Sequence, residues 1–203
     1  MKKIIIISSA ILFGLAITFT GCKKKKEEVI PVTQNNTPID TTLNITKDTL
    51  YAPAGDGGSR TFFNSAKLLV YTQAQINSNL ALSDDVIFAY SFSTDPAVGA
   101  ELSNTYSFSA TTLTGWHQKA TIFKKSVPAS VYDAAFYKRA IVDAWNNATA
   151  YSPPQGYIAP LAVGEIYAFQ TEAGKHGLVK ILAIMPGQDP YADYLVFQVK
   201  MEK

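Results

Sequence analysis

The stretch Asp84-Asp85-Val86-Ile87-Phe88-Ala89-Tyr90-Ser91-Phe92 decides the fold class of this 203-residue chain. Positions 86, 88, 90 and 92 carry bulky apolar or aromatic residues, and positions 87, 89 and 91 fall on the opposite face. A period of two with aromatic and β-branched residues is typical of a strand. We therefore predict that a sheet is built around this segment.

The C-terminal third predicts an antiparallel meander. Residues 165–171 and 177–184 flank Glu172 to His176, where Gly174 can adopt the positive φ that a tight hairpin needs. From Tyr194 to Lys203, apolar residues alternate with mostly polar ones, the pattern of a strand with one face in solvent. Shorter strands are predicted at 61–63, 68–71, 106–108 and 118–123, and a loop at 94–102.

Two helices complete the predicted fold. Thr72 and Gln75 fit a capping box, which predicts a short helix near 73–79. A principal helix near 131–148, with Ser130 as its N-cap, follows from apolar residues at spacings of three and four: Val131, Ala134 or Ala135, Ile141, Val142 and Trp145. The stretch Tyr151 to Tyr157 contains two prolines and ends this helix as a loop. The predicted class is α+β, mainly an antiparallel β-sheet, with a sandwich as one form.

The first 22 residues have the layout of an export signal. Met1-Lys2-Lys3 is positive, Ile4 to Thr20 is a run of 17 uncharged residues, and small residues precede Cys22. A membrane-spanning helix is the alternative, because this length is close to the minimum that crosses a hydrocarbon core about 30 Å thick. Lysines flank both ends of the run, so it lacks the charge asymmetry of a spanning helix.

Phe19-Thr20-Gly21-Cys22 resembles the lipobox of bacterial lipoproteins, with Phe19 in place of the usual Leu. The resemblance implies cleavage between Gly21 and Cys22, a diacylglycerol on the Cys22 thiol and an acylated new amino terminus. Two or more acyl chains hold a protein stably on a bilayer, whereas one chain holds it marginally. We therefore expect a lipid anchor at Cys22.

The charged run after Cys22 bears on the final location. CKKKKEE, residues 22–28, resembles the short stretch associated with surface display in lipoproteins of the Bacteroidota. A solvated spacer is the alternative interpretation. The predicted location is the outer membrane, with the domain either surface-exposed or facing the periplasm.

The rest of the chain divides into a stalk and one domain. Val29 to Leu50 is rich in Thr, Asn and Pro and has no aromatic residue, which predicts a flexible stalk. Leu43 and Ile45 alternate with polar neighbours, so a first strand is the alternative for the end of this segment. The predicted organisation is residues 1–21 as the cleaved signal, 22–50 as lipidated cysteine, tether and stalk, and 51–203 as a single globular domain. Short patterns at Thr41 and Thr49 resemble O-glycosylation sites of exported Bacteroidota proteins.

Composition and motifs exclude several classes of function. Residues 51–203 contain 11 Lys and Arg against 12 Asp and Glu, so the basic face that nucleic-acid binding requires is missing. Cys22 is the one cysteine, which rules out an intramolecular disulfide. The sequence has no G-x-S-x-G, P-loop, G-x-G-x-x-G or H-E-x-x-H motif. We predict no catalytic residue, no metal ligand, and no cofactor beyond the acyl chains on Cys22.

Candidate ligand-binding residues are aromatic and histidine side chains in or beside predicted loops, where binding sites tend to lie. They are Trp116, His117, Tyr151, Tyr157, His176 and Tyr191. Packing in the core is the alternative for each of them. Asp84-Asp85, Asp189 and Asp193 are weaker candidates as cation ligands, for which solvated turn acids are favoured. Glu101, Glu165 and Glu172 are available to a glycosidase, but the sequence does not pair them.

Two further resemblances concern the domain. His117 and His176 are the two histidines of the chain and could ligate a haem iron or form half of a zinc site. DVIFAYSF, residues 85–92, and IYAFQTEAGKHGLVKI, residues 166–181, are similar to segments of HmuY-type haem-binding lipoproteins, a resemblance that implies haem binding but assigns no ligand. Gly164 to Leu178 also resembles a hairpin of uncharacterised Bacteroidota lipoproteins, which implies no activity.

We therefore expect a lipid-anchored exported protein whose domain is a non-enzymatic binding or interaction module. Its expected partners are the membrane, through the anchor, and a glycan or a protein. The alternatives are a hydrolase of an extracellular polymer such as a glycan and, third, capture of haem or metal.

Overall fold

The computed structural model describes residues 43–125, 127–187 and 192–203. These residues belong to one compact unit. The predicted signal, Cys22, the tether, Thr41, Asp189 and Tyr191 lie outside the described residues, so the predictions made for them stay predictions.

Two antiparallel sheets form the body of the domain. The six-stranded sheet has the order β1 (Leu43–Tyr51), β11 (Tyr194–Glu202), β10 (His176–Met185), β9 (Ile166–Thr171), β6 (Thr121–Lys125) and β7 (Thr149–Gln155). The five-stranded sheet has the order β3 (Leu69–Thr72), β2 (Arg60–Asn64), β4 (Val86–Phe92), β5 (Ala100–Ser103) and β8 (Tyr157–Ile158). The predicted α+β class with a mainly antiparallel, sandwich-like sheet is confirmed.

Four phenylalanine rings join the two sheets in the main core. The ring of Phe88 in β4 lies 4.9 Å from that of Phe63, 5.7 Å from that of Phe197 and 6.1 Å from that of Phe169. All four side chains are fully buried. Such aromatic pairs contribute about 0.5–1.5 kcal/mol beyond their buried area, so the aromatic face of β4 holds the sandwich together.

Strand β1 corrects the predicted stalk over residues 43–50. The strand pairs with β11 at every position from Leu43 opposite Glu202 to Tyr51 opposite Tyr194, and Leu50 is fully buried. Its polar composition fits its position, because β1 is an edge strand in which eight of nine residues are half-buried or exposed. The alternative interpretation of this segment, a first strand, is the one that holds.

The short helix α1 (Gln73–Ser78) has the predicted capping box. The main-chain N–H of Gln75 donates to Thr72 Oγ1 at 3.1 Å, and the main-chain N–H of Thr72 donates to Gln75 Oε1 at 2.9 Å. A 3-10 helix (Leu80–Asp85) follows and leads into β4. The local sequence signal is sufficient here because both partners of the box lie within four residues.

The predicted principal helix over 131–148 is wrong in detail, because two helices replace it: α2 (Ala129–Ala134) and α3 (Lys138–Asn147). Tyr137 has extended backbone angles, and Pro128 replaces Ser130 as the N-cap of α2. A continuous helix would place Lys138 on its apolar face, between Ala134 and Ile141. The break avoids this and lets Tyr132, rather than Val131, face the sheet.

Several loop and strand predictions also change. Residues 105–107 form a turn and not a strand, whereas residues 100–102 of the predicted loop belong to β5. The predicted loop from Tyr151 to Tyr157 contains most of β7 and the start of β8. Pro153 and Pro154 fit in β7 because it is an edge strand, where a missing N–H donor is tolerated.

Both sheets are covered on their outer faces. Tyr132, Ile141 and Trp145 of α2 and α3 pack on Ala168 and Leu178 of the six-stranded sheet. Phe108, Leu113 and Trp116 pack on Phe62 of the five-stranded sheet. The predicted wet face of β11 is therefore wrong at its end, where Lys200 and Glu202 are buried on the outer face that the helices cover.

Candidate functional site

Trp116, one of the six predicted binding residues, is part of the core. Its side chain is 7 % exposed, and its ring lies 4.6 Å from the ring of Phe62. The indole Nε1 donates a hydrogen bond to Asn77 Oδ1 at 2.7 Å. These contacts fix the segment that covers the five-stranded sheet and leave the ring no open face for a ligand.

The two histidines belong to different parts of the sandwich. His117 is exposed, and its Nδ1 lies 2.6 Å from Asp84 Oδ1, beside the five-stranded sheet. His176 begins β10 of the six-stranded sheet, with its ring 5.5 Å from that of Trp145 in α3. Their contacts have no residue in common, so the arrangement lends no support to one haem iron held by both.

Tyr151 lines a cleft of about 330 Å³ at one end of β6 and β9. We call it the tyrosine cleft and define it by the following lining residues: Lys125, Val127, Tyr151, Ala159, Pro160, Gly164, Glu165, Ile166 and Tyr167. It is formed by β6, β7, the start of β9 and the loop between β8 and β9. Its volume is within the range of small-ligand sites.

A buried tyrosine orients the carboxylate of the tyrosine cleft. The Tyr167 hydroxyl donates a hydrogen bond to Glu165 Oε2. Burial raises the pKa of Tyr167, and the hydrogen bond and charge of Glu165 raise it further. The hydroxyl therefore keeps its proton at neutral pH and remains a donor, while the other oxygen of Glu165 is left to accept from a ligand.

Tyr151 presents an aromatic ring to the same cleft. The ring is half-buried, and Lys125 Nζ lies 5.2 Å from its centre, within the range of a cation–π contact. Burial raises the pKa of Tyr151, and the charge of Glu165 adds to this. The cleft thus combines an aromatic ring, an ammonium group and a carboxylate.

The sequence identified Tyr151 but not most of its neighbours. The sequence offers Glu165 only as a possible member of a carboxylate pair, and it does not predict Lys125 or Tyr167 as binding residues. Tyr157 lies in β8 of the other sheet and is absent from the lining of the tyrosine cleft. The signal that could have found Tyr167 is the alternation of β9, which places it on the same face as Phe169.

A second cleft, of about 260 Å³, lies at the opposite end of β6 and β9. We call it the charged cleft and define it by these lining residues: Ser65, Asp84, Asp85, Ile87, Lys119, Thr121, Thr171, Glu172, Ala173 and Lys175. It brings the Asp84-Asp85 pair together with Glu172. Asp193 is buried elsewhere and accepts a hydrogen bond from the main-chain N–H of Gly187.

The acidic residues do not form a metal site in the described part of the chain. Within residues 43–125, 127–187 and 192–203, no group of three or more His, Cys, Asp or Glu side chains is close enough to hold an ion. Glu165 and Glu172 lie in opposite clefts. Glu101 belongs to β5, where burial raises its pKa. The three glutamates therefore do not share a cleft.

The helices of the described residues are too short or too polar to cross a bilayer. No family model matches the sequence, and no curated protein matches it. The fold is similar to the crystal structure of a DUF4466 family protein from Parabacteroides merdae, with a TM-score of 0.58 and 15 % identity. The match covers 79 % of this chain and 54 % of that structure, so the chain spans about half of its neighbour's length. At this identity, the similarity concerns the fold.

Proposed function

We propose that the protein is an exported lipoprotein, anchored through Cys22, whose tyrosine cleft binds a glycan. The lipobox Phe19 to Cys22 and the following CKKKKEE stretch support the anchor. The fold neighbour comes from Parabacteroides, a member of the Bacteroidota, the group in which such charged stretches accompany surface display. On this proposal, the domain is held at the outer membrane and meets its ligand there.

The observation that carries the glycan proposal is the grouping of Tyr151, Lys125 and Glu165 in one open cleft. A sugar ring has an apolar C–H face and a rim of hydroxyl groups. The Tyr151 ring offers a surface for the C–H face, the Glu165 carboxylate accepts from hydroxyl groups, and the Lys125 ammonium donates to them. Glu165 is held in place by Tyr167, so little ordering is required when the ligand binds.

A hydrolase remains the second candidate. Asp85 and Glu172 both line the charged cleft, and a glycosidase requires two opposed carboxylates. Both residues are exposed, and Glu172 Oε2 accepts a hydrogen bond from the main-chain N–H of Ala120 at 3.3 Å. Neither is shielded from solvent in the way that a glycosidase acid is. Binding without cleavage is therefore the proposal that we favour.

The test is isothermal titration calorimetry of the purified chain with hexasaccharides of glucose, xylose and mannose. We expect at least one to bind, and Tyr151→Ala to weaken that binding about tenfold, equivalent to about 1.4 kcal/mol. Tyr106→Ala is the matched control, because Tyr106 is 63 % exposed and lies outside the lining of the cleft. Equal affinities for Tyr151→Ala and the unsubstituted protein, or no binding by any of the sugars, would overturn the glycan proposal.

A parallel assay separates binding from hydrolysis. The same hexasaccharides are incubated with the protein, and new reducing ends are measured. We expect none. Release of reducing ends that Asp85→Asn or Glu172→Gln abolishes would replace the binding proposal with the hydrolase.

A further inference from the structure

Thr121 carries a buried hydroxyl group in the lining of the charged cleft. The residue is fully buried at the start of β6, and it lines the cleft. Its main-chain oxygen accepts a hydrogen bond from Asn104 Nδ2, but its Oγ1 has no hydrogen-bond partner. A buried polar group left without a partner costs about 1–3 kcal/mol. Such a group calls for an explanation, and a ligand in the cleft would supply the missing partner.

The charges around Thr121 differ between the two walls of the cleft: Asp84 and Asp85 lie on one wall, and Lys119, Lys175 and Glu172 lie on the other. Asp85 immediately precedes β4 of the five-stranded sheet, whereas Lys119 and Lys175 lie next to β6 and β10 of the six-stranded sheet. None of these three residues has an oppositely charged partner within 4.0 Å among the described residues. One wall of the cleft therefore carries a net negative charge, and the other carries two ammonium groups beside the Glu172 carboxylate.

The remaining acids of the charged cleft already have partners. Asp84 Oδ1 is 2.6 Å from His117 Nδ1, and Glu172 accepts from the Ala120 N–H. Both contacts hold side chains of the rim in position. Ile87, which is 4 % exposed, gives the floor an apolar surface beside Thr121. The cleft is small and bears both charges, so it suits a compact ligand that is itself dipolar.

We propose that the charged cleft binds a small zwitterion of the α-amino acid class. The ligand's ammonium group lies toward Asp85, and its carboxylate lies toward Lys119 and Lys175. Thr121 Oγ1 donates its hydrogen bond to that carboxylate. A simple anion would meet three carboxylates in the same cleft, and a metal ion would lack a cluster of three ligands in the described residues.

The ligand class is tested by calorimetry of the purified chain with glycine, L-serine, L-glutamate and L-lysine. N-acetylglycine and glycinamide, which each lack one of the two charges, are the comparison probes. We expect at least one amino acid to bind and both blocked compounds to bind at least tenfold more weakly than glycine. Binding of a blocked compound as tightly as glycine, or no heat with any amino acid at millimolar concentration, would overturn the proposal.

Thr121→Val tests the site itself because valine keeps the shape and removes the hydroxyl. We expect amino-acid affinity to fall about fivefold to tenfold, while the melting temperature stays the same or rises, since an unpaired buried hydroxyl is lost. Ser103→Ala removes a buried hydroxyl of β5 outside the cleft and should leave affinity unchanged. Unchanged affinity in Thr121→Val would overturn the proposal, because the Thr121 hydroxyl would then not contact the ligand.

This proposal stands apart from the glycan proposal because the two clefts lie at opposite ends of β6 and β9. Tyr151→Ala should leave amino-acid binding intact, and Thr121→Val should leave sugar binding intact. Loss of both activities in either variant, with the fold retained, would contradict two independent sites.

Discussion

Gly177 in β10 lies opposite Phe169 in β9, and the Phe169 ring fills the space where a side chain at position 177 would stand. A Cβ atom added to Gly177 would lie 2.1 Å from Phe169 Cζ. Phe169 is fully buried and belongs to the ring cluster that joins the two sheets. Glycine at this position therefore leaves room for the outer end of the Phe169 ring.

The first prediction is that Gly177→Ala destabilises the protein by about 1–3 kcal/mol, as overpacking of a core does. Urea unfolding followed by tryptophan fluorescence gives the free energy of unfolding. The same substitution should cost less in a Phe169→Leu background, because the smaller side chain leaves room for the methyl group. If Gly177→Ala lowers the free energy of unfolding equally in both backgrounds, the Phe169 ring is not the cause of the destabilisation.

Second, Thr72→Ala should lower the free energy of unfolding by about 1 kcal/mol. The substitution removes the Oγ1 that accepts from the Gln75 N–H and leaves one N–H of α1 without its cap. Thr114→Ala, at an exposed threonine, is the control and should change stability much less. A Thr72→Ala variant as stable as this control would contradict the energetic role of the capping box.

Third, Lys200 should make the stability depend on pH. Burial lowers its pKa; the charge of Asp133 opposes this shift, and that of Lys180 adds to it. Between the lowered pKa and 10.5, the unfolded chain binds more protons at this site than the folded chain, so Lys200 makes stability rise as pH rises.

Urea midpoints measured from pH 7 to pH 10 test this for the unsubstituted protein and for Lys200→Met. The unsubstituted protein should gain stability relative to Lys200→Met as pH rises. Both proteins contain the same tyrosines, so the effect of tyrosine titration on stability cancels in the comparison. Lys67→Met replaces an exposed lysine, and its urea midpoint should change with pH in the same way as that of the unsubstituted protein. If the difference in urea midpoint between Lys200→Met and the unsubstituted protein stays constant with pH, folding does not shift the pKa of Lys200.

Fourth, Cys22→Ser should release the protein from the membrane fraction and abolish labelling by a palmitate analogue in a bacterial host that processes lipoproteins. The reason is the loss of the thiol that carries the acyl chains, without which a stable anchor cannot form. Phe19→Leu, which restores the usual lipobox residue, should label at least as well as the unsubstituted protein. Membrane-bound, labelled Cys22→Ser would refute the anchor.

Segments whose signal is local were predictable. The capping box joins Thr72 and Gln75 within four residues, and the alternation from Phe88 to Phe92 lies within β4, so the sequence predicts both. The predicted faces are wrong at the start of β4, where a register shift places Ile87 in the main core and Val86 in the outer cluster. The helix over 131–148 was predicted as one piece because the apolar spacing continues on both sides of Lys138. Which residue faces the sheet, Val131 or Tyr132, depends on the outer surface of β10 and β11, and these strands lie far away in the sequence.

The candidate sites show the same division. Tyr151 stood out as an aromatic residue beside prolines, but its cleft also requires Lys125 from β6 and Glu165 before β9. Thr121 had no signal at all, because a threonine in a strand is ordinary until the packing leaves its hydroxyl without a partner.

The sequence by itself determined the antiparallel β class, the capped short helix and the hairpin at Gly174, and it is the basis on which export and lipid attachment are proposed. Each of these depends on residues close together in the chain, where backbone geometry and side-chain spacing carry the information. Tertiary structure alone decided that residues 43–50 form an edge strand, that the long helix breaks, and which side chains line the two clefts. Those outcomes depend on strand pairing and burial between distant segments, and a one-dimensional pattern does not contain these contacts.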